Sequence, residues 1–258
     1  MSAETILITG GASGIGAETA RLAAARGLRV AINYRARPDA ARALTDEIRA
    51  AGGVAEAFHA DIADEAGIVG LFDAAERALG PIGGLVNSAG IGGGAHRVEA
   101  MAAATLEELF RVNVVGLILC CREAARRMST AHGGAGGSIV NVSSMAATIG
   151  GRTGKSHYAA SKAAVDAFTV GFAKEVAAEG IRVNAVRPGV VATDMTAAGL
   201  RDPATREEIE ATIPMGRVGT PREIATAILW LLSAEASFVS GARLDASGGG
   251  FVIGRRAV

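Results

Sequence analysis

The chain has 258 residues, is 50% hydrophobic and 4% aromatic, and balances 26 Lys and Arg against 26 Asp and Glu. That composition suits closely packed helices on a sheet and excludes a disordered chain; zero net charge with scattered arginines leaves nothing to favour nucleic acid or an anionic membrane as partner. No apolar run reaches about 18 residues without a polar break, and the N-terminus enters Thr5-Ile6-Leu7-Ile8-Thr9 without a charged leader, so a cytoplasmic protein with no membrane span is expected.

In chain order the pattern predicts strand 5–9, helix 14–26, strand 29–34, helix 38–51, strand 54–60, helix 64–79, strand 83–88 and helix 103–131. Strand 137–143, helix 156–178, strand 181–187, helix 220–233 and strand 242–246 complete it. Such a βαβα rhythm makes a doubly wound parallel sheet with right-handed crossovers and helices on both faces. No linker or repeat divides residues 1–258, so one domain is expected. The run from Gly133 to Gly137 reads as a flexible turn. Residues 193–219 break the rhythm after a strand's C-terminal end and read as a substrate lid. Cys120 and Cys121 sit together in a helical run and read as core or interface packing, without metal or disulfide.

The first strand leads into Thr9-Gly10-Gly11-Ala12-Ser13-Gly14-Ile15-Gly16 and then a helix. Glycines at this junction let backbone N–H groups and a helix N-terminus approach a pyrophosphate, which makes Gly10, Ser13, Gly14, Ile15 and Gly16 candidate cofactor residues. The second strand ends Ile32-Asn33-Tyr34-Arg35-Ala36-Arg37 with no carboxylate to accept from an adenosine ribose. Arg35, helped by Tyr34 or Arg37, is read as clasping a 2′-phosphate, so NADP(H) is favoured over NAD(H). Asp61 and Ile62, after the third strand, are read as framing the adenine edge; Asp61 serves equally as a turn residue before the next helix.

Tyr158 and Lys162 are one of two tyrosines and one of three lysines in the chain. In a helix their i,i+4 spacing places both on one face. An ammonium beside a phenol lowers a pKa that starts near about 10. A phenol tuned toward neutrality exchanges a proton with an alcohol or carbonyl oxygen.

From Thr5 to Gly249 these motifs resemble the classical short-chain dehydrogenases/reductases. The resemblance rests on the Gly-rich turn, Asn87-Ser88-Ala89-Gly90, Asn113, Ser143-Ser144, Tyr158 with Lys162, and Pro188-Gly189 followed by Thr193. It implies a Rossmann-type sheet of seven strands ordered 3-2-1-4-5-6-7 and hydride transfer between a nicotinamide and an alcohol/ketone pair. It further implies Tyr158 as general acid/base, Lys162 on the nicotinamide ribose, and Ser144 hydrogen-bonded to the substrate oxygen, with Ser143 the alternative. Asn113 would hold a water linking Lys162 to solvent. Asn87, Ala89 and Gly90 would lie near the cofactor ribose, or Asn87 would steady the sheet. Pro188, Gly189, Val191 and Thr193 would flank the nicotinamide. A homotetramer (or homodimer) is implied, with contacts from the helices at 103–131 and 156–178 and from Ser247 to Ile253. Asn-Ser in place of the commoner Asn-Asn is a mild departure. The Ser144-to-Tyr158 spacing is one residue longer than usual, and the loop from Gly150 to Gly154 absorbs it.

The substrate pocket is expected from Ile91 to Val98, Met145 to His157 and residues 190–215. Met145, Met195, Ile213 and Met215 are its apolar candidates; His96, Arg152 and His157 are its polar ones. Ser144, Met145, His157 and Tyr158 are the expected substrate contacts. A 3-oxoacyl-thioester reductase and a sugar or polyol dehydrogenase both fit, and a nucleotide-binding regulatory protein without turnover is the rival of different class.

Overall fold

A computed structural model describes residues 4–250. The expected contacts at 251–253 lie outside the described residues. The strands are β1 (Thr5–Thr9), β2 (Arg29–Tyr34), β3 (Val54–His59), β4 (Ile82–Asn87), β5 (Gly137–Val142), β6 (Ile181–Pro188) and β7 (Arg243–Ala246). All pair in parallel, in the order β3-β2-β1-β4-β5-β6-β7. This is the implied topology. Strand order reverses between β1 and β4, where the carboxyl ends of the two strands open a crevice.

The α-helices are α1 (Gly14–Ala25), α2 (Pro38–Ala50), α3 (Glu65–Leu79), α4 (Ala103–Phe110), α5 (Leu117–Met128), α6 (Ala146–Ile149) and α7 (Ser156–Val176). They continue with α8 (Ala197–Arg201), α9 (Pro203–Ala211) and α10 (Pro221–Leu232). Successive strand residues alternate between two cores, as the period of two requires. Leu7, Ala31, Leu85, Ile139 and Val183 pack with α3, α5 and α7; Ile8, Val30, Ile32, Val86, Val140 and Val186 pack with α1, α2 and α10. Helices cover both faces, which explains why the strands are apolar at nearly every position.

Three features depart from the sequence pattern. The helix expected at 103–131 is interrupted by a π-helical turn, Arg111–Gly116, which widens the coil by one residue. The turn carries Asn113 inward to hydrogen-bond Ile91 and Ser161. A Cβ on Gly116 would lie 2.2 Å from the Ile62 carbonyl oxygen, so only glycine lets this turn approach β3's loop. The Gly133–Gly137 run is a bonded turn: Gly134 and Gly136 N–H donate to Ser129 O and Met128 O. The 193–219 excursion contains α8 and α9, has its own small core of Ile209, Ile213 and Val218, and is pinned at its base by a parallel bridge, Val191 to Gly219. Cys120 and Cys121 are free and buried in the core, and burial pushes the Cys120 thiol up to about 12.

Candidate active site

At the end of β1 the Gly-rich turn packs against the end of β4. A Cβ on Gly10 (φ 62°) would sit 2.8 Å from Ala89 Cα, and one on Gly16 would sit 2.4 Å from Gly10 O. No side chain fits at either place, so the turn keeps bare backbone beside the N-terminus of α1, a cradle for an anionic phosphate. Thr193 closes it from the other side, its methyl 3.3 Å from a Cβ placed on Gly14. A cavity of about 490 Å³ between α1 and α8 is lined by Gly14, Ala17, Thr193, Asp194 and Arg201 among others.

The residue that holds this turn was missed in the sequence. Asn33 is buried; its Oδ1 accepts from Gly10 N (3.3 Å), its Nδ2 donates to Ala60 O (3.0 Å), and its own carbonyl accepts from Gly11 N (2.8 Å). It thereby locks the Gly-rich turn to β2 and to the end of β3. A buried Asn in an otherwise apolar strand was the available signal.

Beyond β2, Tyr34 meets His59 edge-on at 5.5 Å. The Arg35 guanidinium stands 3.7 Å from Asp61, both about half exposed. Asp61 also accepts from Ala63 N, while Asp64 is the residue that caps α3. The Ile62 side chain is buried in the core, so it frames nothing beyond what its backbone offers. Arg37 ion-pairs Asp194 of the excursion, bridging the crevice.

The structure brings Ser144, Tyr158 and Lys162 together. Tyr158 and Ser144 are half-buried, and Ser144 stands near enough to act on the Tyr158 phenol. Lys162 is 5% exposed; its Nζ donates to Val142 O at 2.8 Å and lies 5.9 Å from the centroid of the Tyr158 ring. Burial pulls Lys162 down to about 8, against the opposing pull of Asp166. Burial also raises the Tyr158 phenol, with the Ser144 hydrogen bond acting in the other direction. The expectation that Lys162 lowers the phenol is therefore corrected: the ammonium is bound to a carbonyl, and desolvation prevails. Ser143 is excluded from the cleft, being buried with its hydroxyl donated to Lys162 O (3.2 Å).

Asn113 reaches the loop after β4 with its side chain. Its Oδ1 accepts from Ile91 N (2.9 Å), and its Nδ2 donates to Ile91 O (3.0 Å) and Ser161 Oγ (3.2 Å). The side chain is thus an anchor for the loop after β4. Asn87 steadies the sheet, donating to Asn141 Oδ1 (3.0 Å) and Cys121 Sγ (3.3 Å). Gly90 lies against the site: a Cβ there would be 3.2 Å from Asn113 Oδ1 and 3.5 Å from Lys162 Nζ.

Pro188 O accepts from Met145 N (3.0 Å), Gly189 packs on Ser247, and Val191 is buried beneath the excursion. Of the expected pocket residues, Met195 and Met215 are exposed, whereas Met145 and Ile213 are buried. His157 is buried too, and its Nε2 meets Gly93 O at 3.0 Å; it holds the loop and does not face the cleft. Lys155, which the sequence reading passed over, reaches the same loop, with Nζ donating to Gly92 O (3.3 Å) and Gly94 O (2.5 Å). Its scarcity as one of three lysines was the signal.

Residues 10–250 match the family model described as enoyl-(acyl carrier protein) reductase. The chain is similar to the uncharacterized oxidoreductase YgfF of Escherichia coli (strain K12), 46% identical and covering 94% of this chain and 98% of that one. It is also similar to the cis-4-hydroxycyclohexanecarboxylate dehydrogenase of Sinomonas cyclohexanicum, 41% identical with 94% of each chain covered. Among solved structures, a blue fluorescent protein from a metagenomic library in complex with NADPH superposes with a TM-score of 0.88 at 33% identity, covering 95% of this chain and 97% of that one. With the sheet order, the Gly-rich turn and the Ser-Tyr-Lys cluster already in place, the chain belongs to the classical short-chain dehydrogenase/reductase family and is an oxidoreductase acting on CH–OH groups.

Proposed function

We propose that the protein interconverts a ketone or aldehyde and an alcohol with NADP(H), NAD(H) being the weaker alternative. The observation that carries this reading is Tyr158 beside Ser144 with a buried Lys162 whose Nζ lies 5.9 Å from the ring centroid. The residues present fit a dinucleotide: the Gly10–Gly16 turn is a cradle that a Cβ would fill, and Gly90 keeps the way to Lys162 open. The relative of known structure holds NADPH. When bound, the nicotinamide supplies or takes up the hydride.

The chain's own residues do the rest. Ser144 and Tyr158 present two O–H groups to the substrate oxygen and stabilise the negative charge that grows there during reduction. Tyr158, kept protonated by burial, then gives its proton to that oxygen, and takes it back in the oxidative direction. Lys162 keeps a positive charge under the ring and offers Nζ hydrogens to the nicotinamide ribose. Asn113 fixes Gly90 and Ile91, so the loop wall facing the cofactor does not shift. Pro188, Gly189, Val191 and Thr193 form the wall on the opposite side. Residues 193–219 act as the lid of a single domain, and a homotetramer is the proposed assembly.

Arg35 is proposed to hold the adenosine 2′-phosphate. Its pair with Asp61 is exposed and worth at most about 1 kcal/mol, whereas a charge-assisted phosphate contact is worth roughly 1.5–3 kcal/mol. Arg35→Ala is expected to weaken NADPH far more than NADH in a fluorescence titration; equal weakening removes Arg35 from this role. NADPH oxidation with a panel of ketones, oxo acids, aldoses and 3-oxoacyl thioesters, repeated on Tyr158→Phe, tests the mechanism. Turnover surviving in Tyr158→Phe overturns it, and tight NADPH binding without turnover on any substrate favours the regulatory reading instead.

A further inference from the structure

Two of the three segments expected to line the cleft beside Tyr158 contain no carboxylate. Residues 91–98 bring His96 and Arg97; residues 145–157 bring Arg152, Lys155 and His157. His157 is spent on Gly93 O and Arg97 on Glu99, which leaves Arg152 and Lys155 as the cations of these segments, and such charges draw anions. The carboxylates nearby are engaged elsewhere. Asp194 ion-pairs Arg37, Glu99 pairs Arg97, Asp202 caps α9 through Thr205, and Glu210 pairs Arg206. Glu207 and Glu208 are exposed on α9.

Lys155 stands three residues before Tyr158, at the entry to α7. Its two carbonyl partners, Gly92 O and Gly94 O, fix the ammonium without neutralising it. An ammonium has three donors, so one N–H is left over. Burial lowers its pKa and no carboxylate counters that effect. The open side is defined by Gly92: a Cβ there would lie 3.7 Å from Lys155 Nζ and 4.0 Å from Met195 Cγ and Sδ. The ammonium and an exposed lid methionine therefore face the same space. Two residues earlier, Gly90 faces Lys162 and Asn113 in the same manner. The loop thus runs from the cation beside the tyrosine ring to the cation at the mouth.

We propose that Lys155 receives a carboxylate of the substrate, which makes the natural substrate an oxo acid or hydroxy acid rather than a neutral ketone, a sugar or a thioester. This rests on the oxidoreductase reading above. A single remaining N–H on one ammonium suits a monoanion better than a phosphate dianion. The carboxylate lies several bonds from the reacting carbon, because Lys155 precedes the first residue of α7 and its stem carries Nζ out to Gly92 and Gly94.

Straight-chain and cyclic oxo acids, 4-oxopentanoate and 4-oxocyclohexanecarboxylate among them, are assayed by NADPH oxidation against their methyl esters. Wild type is expected to favour the acid over its ester in kcat/KM by roughly 10- to 100-fold, the size of a charge-assisted hydrogen bond. In Lys155→Gln that ratio falls at least about ten-fold, mainly through KM, and Lys155→Arg restores most of it. If Lys155 only clamps the Gly92–Gly94 loop, both substrates weaken together and the ratio holds; that result overturns the assignment. A wild type that prefers the esters overturns it without any variant. Absence of wild-type turnover on every pair, and on the neutral ketone panel, overturns the oxidoreductase reading and this assignment with it.

Discussion

Lys162 is held in the folded protein at a thermodynamic loss, and replacing it is expected to make the fold sturdier while removing the activity. Burial lowers its pKa from 10.5 to about 8, so the unfolded chain binds more protons than the folded one between those values. Stability therefore rises with pH across that window, and the burden is fully present below about pH 8. A lowering from 10.5 to about 8 amounts to about 3 kcal/mol near pH 7. About half of it remains near pH 9.5. Lys162→Met removes the buried charge but leaves Val142 O without its donor, a cost of roughly 1–3 kcal/mol. The net gain near pH 7 is thus about 0–2 kcal/mol, and it falls by about 2 kcal/mol on going to pH 9.5. Urea unfolding of variant and wild type at both pH values, followed by circular dichroism, reads this difference directly, because groups common to both proteins cancel. A variant destabilised by more than about 2 kcal/mol at neutral pH, with no dependence on pH, refutes the reasoning.

Three further outcomes follow from the same geometry. Ser144→Ala is expected to lower kcat about 100-fold or more with little change in melting temperature, whereas Ser143→Ala loses about 1 kcal/mol of stability and under ten-fold in kcat; kinetics and thermal melts on the pair separate the two serines. Because burial raises Tyr158, ketone reduction is expected to stay flat across neutral pH while alcohol oxidation climbs into the alkaline range, and an oxidation rate that peaks in acid contradicts this. Asn33→Ala strands Gly10 N and Ala60 O; about 2–3 kcal/mol of stability and at least about ten-fold in NADPH affinity are expected to be lost, measured by urea unfolding and fluorescence titration.

The parts of this molecule visible in the sequence are those written in local patterns. Strands buried on both faces read as apolar runs, and the Gly-rich turn announces itself between a strand and a helix. The Tyr158–Lys162 pair is legible because i,i+4 spacing fixes a shared face whatever surrounds it. What escaped depends on tertiary contacts. A π-helical turn adds one residue to a helical period and leaves no mark in composition, so the side-chain partners of Asn113 could not be read from it. His157 adjoins the catalytic tyrosine in sequence, yet a neighbouring residue on a helix points elsewhere, and its ring is spent on Gly93 O. The pKa of Tyr158 was misjudged because spacing conveys proximity to Lys162 but not the depth at which both are buried.

The loop after β4 shows how the two ends of the site are made one. Gly90, Gly92, Gly93 and Gly94 have no side chains with which to fix it, and other elements supply every hold. Thr9 Oγ1 accepts from Ala89 N (3.2 Å), Asn113 brackets Ile91, Lys155 takes the carbonyls of Gly92 and Gly94, and His157 meets that of Gly93. Side-chain bonds to backbone groups, with the His96 N to Gly154 O bond, rigidify a segment whose glycines lose more freedom on ordering than any other residue. Lys155 and His157 flank the start of the helix that carries Tyr158 and Lys162. A tilt of α7 therefore moves the proton donor and the loop wall together, preserving their relation to each other. Thr9 ties the same loop to the end of β1, where the Gly-rich turn begins. The registration of cofactor cradle, acid/base and cleft mouth is thus set by one loop whose glycines give it no voice in the sequence.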